Sequence, residues 1–106
     1  MDTKMNLNQL RVFYVAAKVQ SFTRAADALF LTQPGISKHI KELEEYYSTR
    51  LFDRLGKKVV LTQAGEELYR KTETIFNMID QLKEALDELQ GLTRGTLNIG
   101  ASYYNY

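Results

Sequence analysis

Between Gln33 and Lys41 the chain gathers side chains suited to binding rather than to reaction. They are the amide of Gln33, the hydroxyl of Ser37 and the ammonium groups of Lys38 and Lys41, with Pro34 among them. An amide donates and accepts in one plane, a hydroxyl does either, and an ammonium offers three donors with a full charge. That set fits noncovalent recognition of polar edges and anionic groups. Bond-breaking chemistry finds no counterpart: there is no Gly-rich phosphate loop, no Ser or Cys nucleophile with a recognisable base, and no metal-ligand spacing. With no Cys and one His, the chain has no disulfide frame or thiolate metal site, and no imidazole site unless carboxylates complete it. No catalytic and no metal residue is therefore expected.

These residues lie in the stretch LTQPGISKHIKELEEYY, whose apolar residues Ile36, Ile40, Leu43 and Tyr47 recur at helical spacing. At about 100° per residue that stripe clusters on one side, and Pro34, Ser37, Lys38 and Lys41 point away from it. Gln33 stands at the entering end. Thr32 or Gln33 is the expected cap, and Pro34 is tolerated because first-turn amides have no intrahelical partner. Glu42, Glu44 and Glu45 lie farther along, where their charge does least harm to an anion-facing end.

The elements that must position this helix are legible around it. Leu7, Leu10, Phe13 or Tyr14, and Ala17 mark a first amphipathic helix over about residues 6–18. Ser21 or Thr23 can cap a short second helix, RAADALF, whose Ala25 and Ala26 are small enough for another helix to pack close. A tight turn at Leu31-Thr32 leads into the third helix. LFDRLGKKVVLT then breaks the helical period and reads as a hairpin, with Gly56 between its strands and Lys57 and Lys58 at its tip. Two helices joined by a short turn and followed by a basic hairpin make a winged helix-turn-helix. The expected fold is mainly α, with three helices and a two-stranded wing.

From Thr62, a capping residue, a long helix is expected to about Gln90. Along it Leu68, Thr72, Ile75, Ile79, Leu82, Leu86 and Leu89 alternate steps of four and three, the 3.5-residue period of a coiled-coil seam. A helix reaching on the order of 40 Å is too long for its whole seam to be covered by one small domain. Pairing with a second copy is the expectation, against a helix lying across its own domain's core.

Charge follows the same division. Of 106 residues with formal net charge +1, residues 1–61 hold ten Lys/Arg against six Asp/Glu, a net of +4. Residues 62–106 hold four against seven, a net of −3. The basic half is compatible with an anionic partner. The N-terminus has no signal-peptide pattern and no apolar run is long enough to span a bilayer, so a soluble, cytoplasmic protein without a membrane partner is expected.

In a helix-turn-helix the first residues of the second helix meet base edges in the major groove, and neighbouring groups hold phosphates. Gln33 suits an adenine edge, Ser37 can donate or accept, and Lys38 reaches guanine or a phosphate. The competing reading is a protein-docking adapter dimerised by its coiled coil. It calls for an exposed apolar patch where residues 33–41 carry polar and basic groups.

Residues 7–100 resemble the N-terminal part of LysR-type transcriptional regulators. SFTRAADALFLTQPGISKHIKELE is similar to that family's helix-turn-helix, and LFDRLGKKVVLTQAGEEL to its wing and the start of its linker helix. The resemblance implies a homodimeric, sequence-specific module for double-stranded DNA, with higher oligomers open to the full-length protein and helix 62–90 as the linker helix of the dimer. It places Thr23 near a phosphate, Gln33, Pro34, Ser37 and Lys38 in the major groove, and Lys41 on the backbone. Arg54 matches the family's wing arginine, and with Lys57 and Lys58 it is expected at the flanking minor groove or phosphates.

Two departures stand out. Tyr47 and Ser48 occupy positions where the family usually has a leucine and a glycine, so the third helix must end with another exit or with some strain. Beyond Gly91 and Gly95, TLNIGAS alternates as a strand and is similar to the first strand of the family's ligand-binding domain. Residues 91–106 are thus expected to be a hinge and the start of an effector domain that is otherwise missing. No cofactor is expected in this chain, and a small-molecule inducer is expected for that domain.

Overall fold

The computed structural model describes residues 5–94. Helix α1 (Leu7–Val19) begins at a capping box: the Asn6 side chain accepts from the Gln9 N–H at 2.9 Å, and the Gln9 side chain accepts from the Asn6 N–H at 3.1 Å. It buries Leu10, Val12, Phe13 and Ala16. Gln20 ends it in the left-handed region, and the Gln20 carbonyl accepts from the Val59 N–H at 3.2 Å.

Helix α2 (Phe22–Leu29) starts two residues before the expected RAADALF, because Ser21 rather than Thr23 is the cap, accepting from the Arg24 N–H at 3.0 Å. Buried Ala25 and Ala26 let α1 and α3 approach closely. Helix α3 (Gln33–Tyr47) is capped by Thr32, which accepts from the Gly35 N–H at 3.1 Å, and Pro34 sits in its first turn.

The wing is an antiparallel pair, β1 (Phe52–Leu55) and β2 (Lys58–Leu61), in the register Phe52↔Leu61 and Leu55↔Lys58. Gly56 and Lys57 form its two-residue turn. Gly56 takes φ +65°, the left-handed geometry such tight hairpins demand. Lys58, expected at the tip with Lys57, instead opens β2. Phe52 fastens the wing to the helices, its ring centroid 5.4 Å from both Phe13 and Phe22. Phe13, Ile36, Leu43 and Leu51 are the large, fully buried side chains at the centre.

Helix α4 (Gln63–Arg94) continues through Gly91, four residues past the expected end. Thr62 caps it, accepting from the Gly65 N–H at 3.0 Å and donating its hydroxyl to the Arg50 carbonyl at 2.7 Å. The chain divides after Glu73 into two compact units. Within the first, Tyr69 of α4 stacks on Tyr14 of α1 with centroids 4.8 Å apart, and the Tyr14 hydroxyl donates to Glu73 at 3.2 Å.

The heptad seam is consequently not one surface. Thr72, expected at a dimer contact, is 0% exposed in its own chain, and Leu68 is half-buried. The start of α4 thus follows the reading in which the helix lies on its own domain's core. Ile79, Leu82, Leu86 and Leu89 are exposed, with Met78 beside them, while Ile75 is half-buried. The expected hinge glycine Gly95 and the strand TLNIGAS lie outside the described residues.

Candidate nucleic-acid interface

The polar face of α3 is built by its buried one. Ile36, Ile40 and Leu43 fix the helix on the core, leaving Gln33, Pro34, Lys38 and Lys41 exposed and Ser37 half-buried. Tyr47, the fourth residue of the expected stripe, is exposed and packs edge-on against Tyr46, with centroids 4.9 Å apart. Tyr46 is exposed as well.

Ser37 and Lys41 of α3 and Arg54 of β1 line one open depression of about 360 Å³, alongside Arg50, Glu44 and Asp53 and the apolar Phe22, Ile40, Phe52 and Val59. Its two carboxylates are already engaged. Glu44 accepts the N–H groups of Leu51 at 2.8 Å and Phe52 at 3.3 Å, and so holds the loop into the wing. Asp53 pairs with Arg50 at 2.7 Å. Arg54 therefore does not spend its charge on Asp53, and no described hydrogen bond or ion pair engages Arg54 or Lys41. The depression presents these two cations beside the Ser37 hydroxyl.

The remaining expected residues are placed more loosely. Thr23 is exposed in the first turn of α2, and Gln33 and Pro34 stand at the start of α3. Lys57 and Lys58 are exposed on the wing but do not line the depression. Lys38 lies on the α3 face, with its ammonium 3.4 Å from Glu42.

Glu42 is not the idle charge that its position along the helix suggested. Its Oε1 accepts from the Gln9 amide at 2.8 Å across to α1, and the His39 Nδ1 stands 3.9 Å away. The Gln9 hydrogen bond, followed by the nearby Lys38 and His39, holds the Glu42 carboxyl below its ordinary value of 4.5. The sequence points to no role for Gln9 or Arg50, and places Glu42 and Glu44 only as charges kept away from the anion-facing end. The Asn6–Gln9 and Arg50–Asp53 spacings of three and the Lys38–Glu42 spacing of four are local, whereas the Gln9–Glu42 bond joins two helices and the Glu44 bonds reach into the wing.

The family model for the bacterial regulatory helix-turn-helix protein, lysR family, matches residues 7–66. Among curated relatives, the RuBisCO operon transcriptional regulator of Allochromatium vinosum is 44% identical over 103 residues, covering 96% of this chain and 34% of the relative. The HTH-type transcriptional activator CmpR of Synechocystis is 40% identical over 93 residues, 88% of this chain and 31% of the relative. The chain thus spans about a third of the length of these relatives. Among solved structures, the BenM_DBD/benA site 1 DNA complex superposes with TM-score 0.77 at 32% identity, covering 82% of this chain and 98% of that one. Vibrio fischeri DarR in complex with DNA gives TM-score 0.73 at 31% identity, over 85% of this chain and 31% of that one. Helix α1, the capped α2–α3 pair, the wing and the start of α4 are the part of the chain that the family model spans, and the chain belongs to the LysR family of bacterial regulatory helix-turn-helix proteins.

Proposed function

We propose that this chain is the sequence-reading part of a transcriptional regulator, binding double-stranded DNA as a homodimer and catalysing no reaction. One observation carries the reading: the depression that joins Ser37 and Lys41 of α3 to Arg54 of the wing, where Asp53 is paired with Arg50 and Glu44 is held by backbone N–H groups. Gln33, Ser37 and Lys38 would meet base edges in the major groove; Thr23 and Lys41 would hold phosphates; and Arg54, Lys57 and Lys58 would follow the flanking backbone or minor groove. The likeness to BenM_DBD and DarR, each solved with DNA, supports this assignment.

Dimerisation is assigned to the exposed apolar residues Met78, Ile79, Leu82, Leu86 and Leu89 of α4. A two-fold dimer calls for an operator with (pseudo)palindromic half-sites about one helical turn, or a multiple of it, apart. A protein-docking adapter would need an apolar patch on the α3 face, which is polar and basic instead. A DNA partner also implies a cytoplasmic location; among the described residues no helix is long and apolar enough to cross a membrane. Selection of binding sites from random duplex DNA tests the proposal. A palindromic consensus is the expected outcome, and no enrichment at low salt would sink it.

A further inference from the structure

We infer that Gln9 and Glu42 form a positioning relay that sets the ammonium of Lys38, turning a flexible cation into a discriminating one. The inference rests on the proposed base-reading role of Lys38 and extends it to two residues that need not touch DNA.

Gln9 is 5% exposed, and both ends of its amide are used. Its Oε1 accepts the Asn6 backbone N–H at 3.1 Å, which fixes the amide orientation and leaves Nε2 to donate to Glu42 Oε1 at 2.8 Å. The other carboxylate oxygen, Oε2, lies 3.4 Å from Lys38 Nζ. One carboxylate thus joins the capped start of α1 to a lysine on the outer face of α3.

An exposed pair of this spacing is weak by itself, and the order Lys then Glu at i, i+4 is the less favourable one in an isolated helix. The pair gains from an anchor whose own rotamer is held by a buried amide. Lysine otherwise carries large side-chain freedom that must be lost on making a directed contact. Tethering spends part of that freedom before binding. Pairing also offsets the lysine's charge, so Lys38 adds less to sequence-independent attraction for phosphates than a free lysine would.

The test uses the full chain on two duplexes of equal length, one carrying the selected consensus and one scrambled. Glu42→Gln should tighten binding to the scrambled duplex, steepen its salt slope by about one, and lower the consensus-to-scrambled affinity ratio about three- to tenfold. Gln9→Met leaves net charge unchanged and should lower the same ratio to a smaller extent. Asn6→Ala removes the side-chain half of the capping box but keeps the backbone N–H that orients Gln9. It should reduce thermal stability without moving the ratio, which separates positioning from helix stability. In the Lys38→Ala background neither Glu42→Gln nor Gln9→Met should move the ratio further.

If Lys38→Ala lowers the ratio but the Glu42→Gln effect simply adds to it, the relay is wrong and the base-reading role of Lys38 stands. If Gln9→Met leaves the ratio unchanged, Gln9 is not part of the relay. If Lys38→Ala itself has no effect on the ratio, the base-reading role falls and takes the relay with it.

Discussion

Gly65 of α4 lies so close to Leu51 that a Cβ on the glycine would stand 2.2 Å from the Leu51 carbonyl oxygen. The same carbonyl accepts the Thr62 N–H at 3.0 Å, so the start of α4 is pressed onto the strand-entering loop by backbone contacts. Gly65→Ala must displace that backbone. It should destabilise the fold by about 1–3 kcal/mol, as overpacking does, and urea unfolding would measure it. An unchanged midpoint would show that the clamp yields freely.

Helices α1, α2 and α3 all end on left-handed residues that are not glycine, Gln20 closing the first of them. Ser48 takes φ +53° and Phe30 φ +58°, and each of these two ends closes with a bond reaching back five residues, Thr49 N–H to Glu44 at 3.0 Å and Leu31 N–H to Ala26 at 2.9 Å. Ser48 therefore resolves the expected departure from the family pattern by accepting strain while keeping the turn. Phe30 is 95% exposed, so packing does not repay its conformation. Ser48→Gly and Phe30→Asn should each raise stability, by up to about 1 kcal/mol after the unfolded-state entropy of glycine is counted for the first. Thermal unfolding of the two variants checks this, and a lower midpoint for both would contradict it.

On DNA, Gln33→Ala should change preference among related sites by about 1–3 kcal/mol for a lost base contact. Lys41→Ala should weaken all duplexes alike and make the salt slope shallower by roughly one. Titrations of consensus and scrambled duplexes at several salt concentrations separate the two effects. Equal losses on both duplexes for Gln33→Ala would remove it from the base-reading set.

Thr72 and Leu82 share one heptad pattern but should behave oppositely. The Thr72 hydroxyl oxygen is buried without a hydrogen-bond partner. Thr72→Val is expected to be neutral or stabilising by about 1 kcal/mol and to leave self-association unchanged. Leu82→Glu, on an exposed part of α4, should shift the chain to monomer at micromolar concentration without lowering the stability of the winged unit. Sedimentation equilibrium distinguishes these outcomes, and a Leu82→Glu dimer would move the interface elsewhere.

The Glu42 and Glu67 carboxyls are both held below the ordinary 4.5. Gln9 is the main cause for Glu42, and the hydrogen bond and charge of Arg70, then Lys71, for Glu67. A folded-state value below the unfolded one means that their contribution is complete above about 4.5 and is lost as pH falls through the folded value. Stability should decline on acidification in that window. Glu42→Gln should lose less than the parent chain on going from pH 6 to pH 4, as followed by urea midpoints at the two pH values. A parallel decline in both proteins would show that Glu42 does not contribute.

The sequence by itself determined the element order, the Thr62 cap, the start of α3 to within Thr32 or Gln33, the wing around Gly56 and the polar face of α3. Each is a local consequence of apolar period, capping chemistry or turn geometry. It also carried the family likeness that led to Arg54. Tertiary structure alone decided which charges on that face remain available. Asp53 turns to Arg50, Glu44 to the backbone of Leu51 and Phe52, and Glu42 to Gln9, thirty-three residues away. It also divided the heptad seam, because periodicity specifies which residues share a helix face but not which neighbour covers them. Thr72 and Leu86 have the same place in the repeat, yet the first is sealed within its own domain and the second lies open.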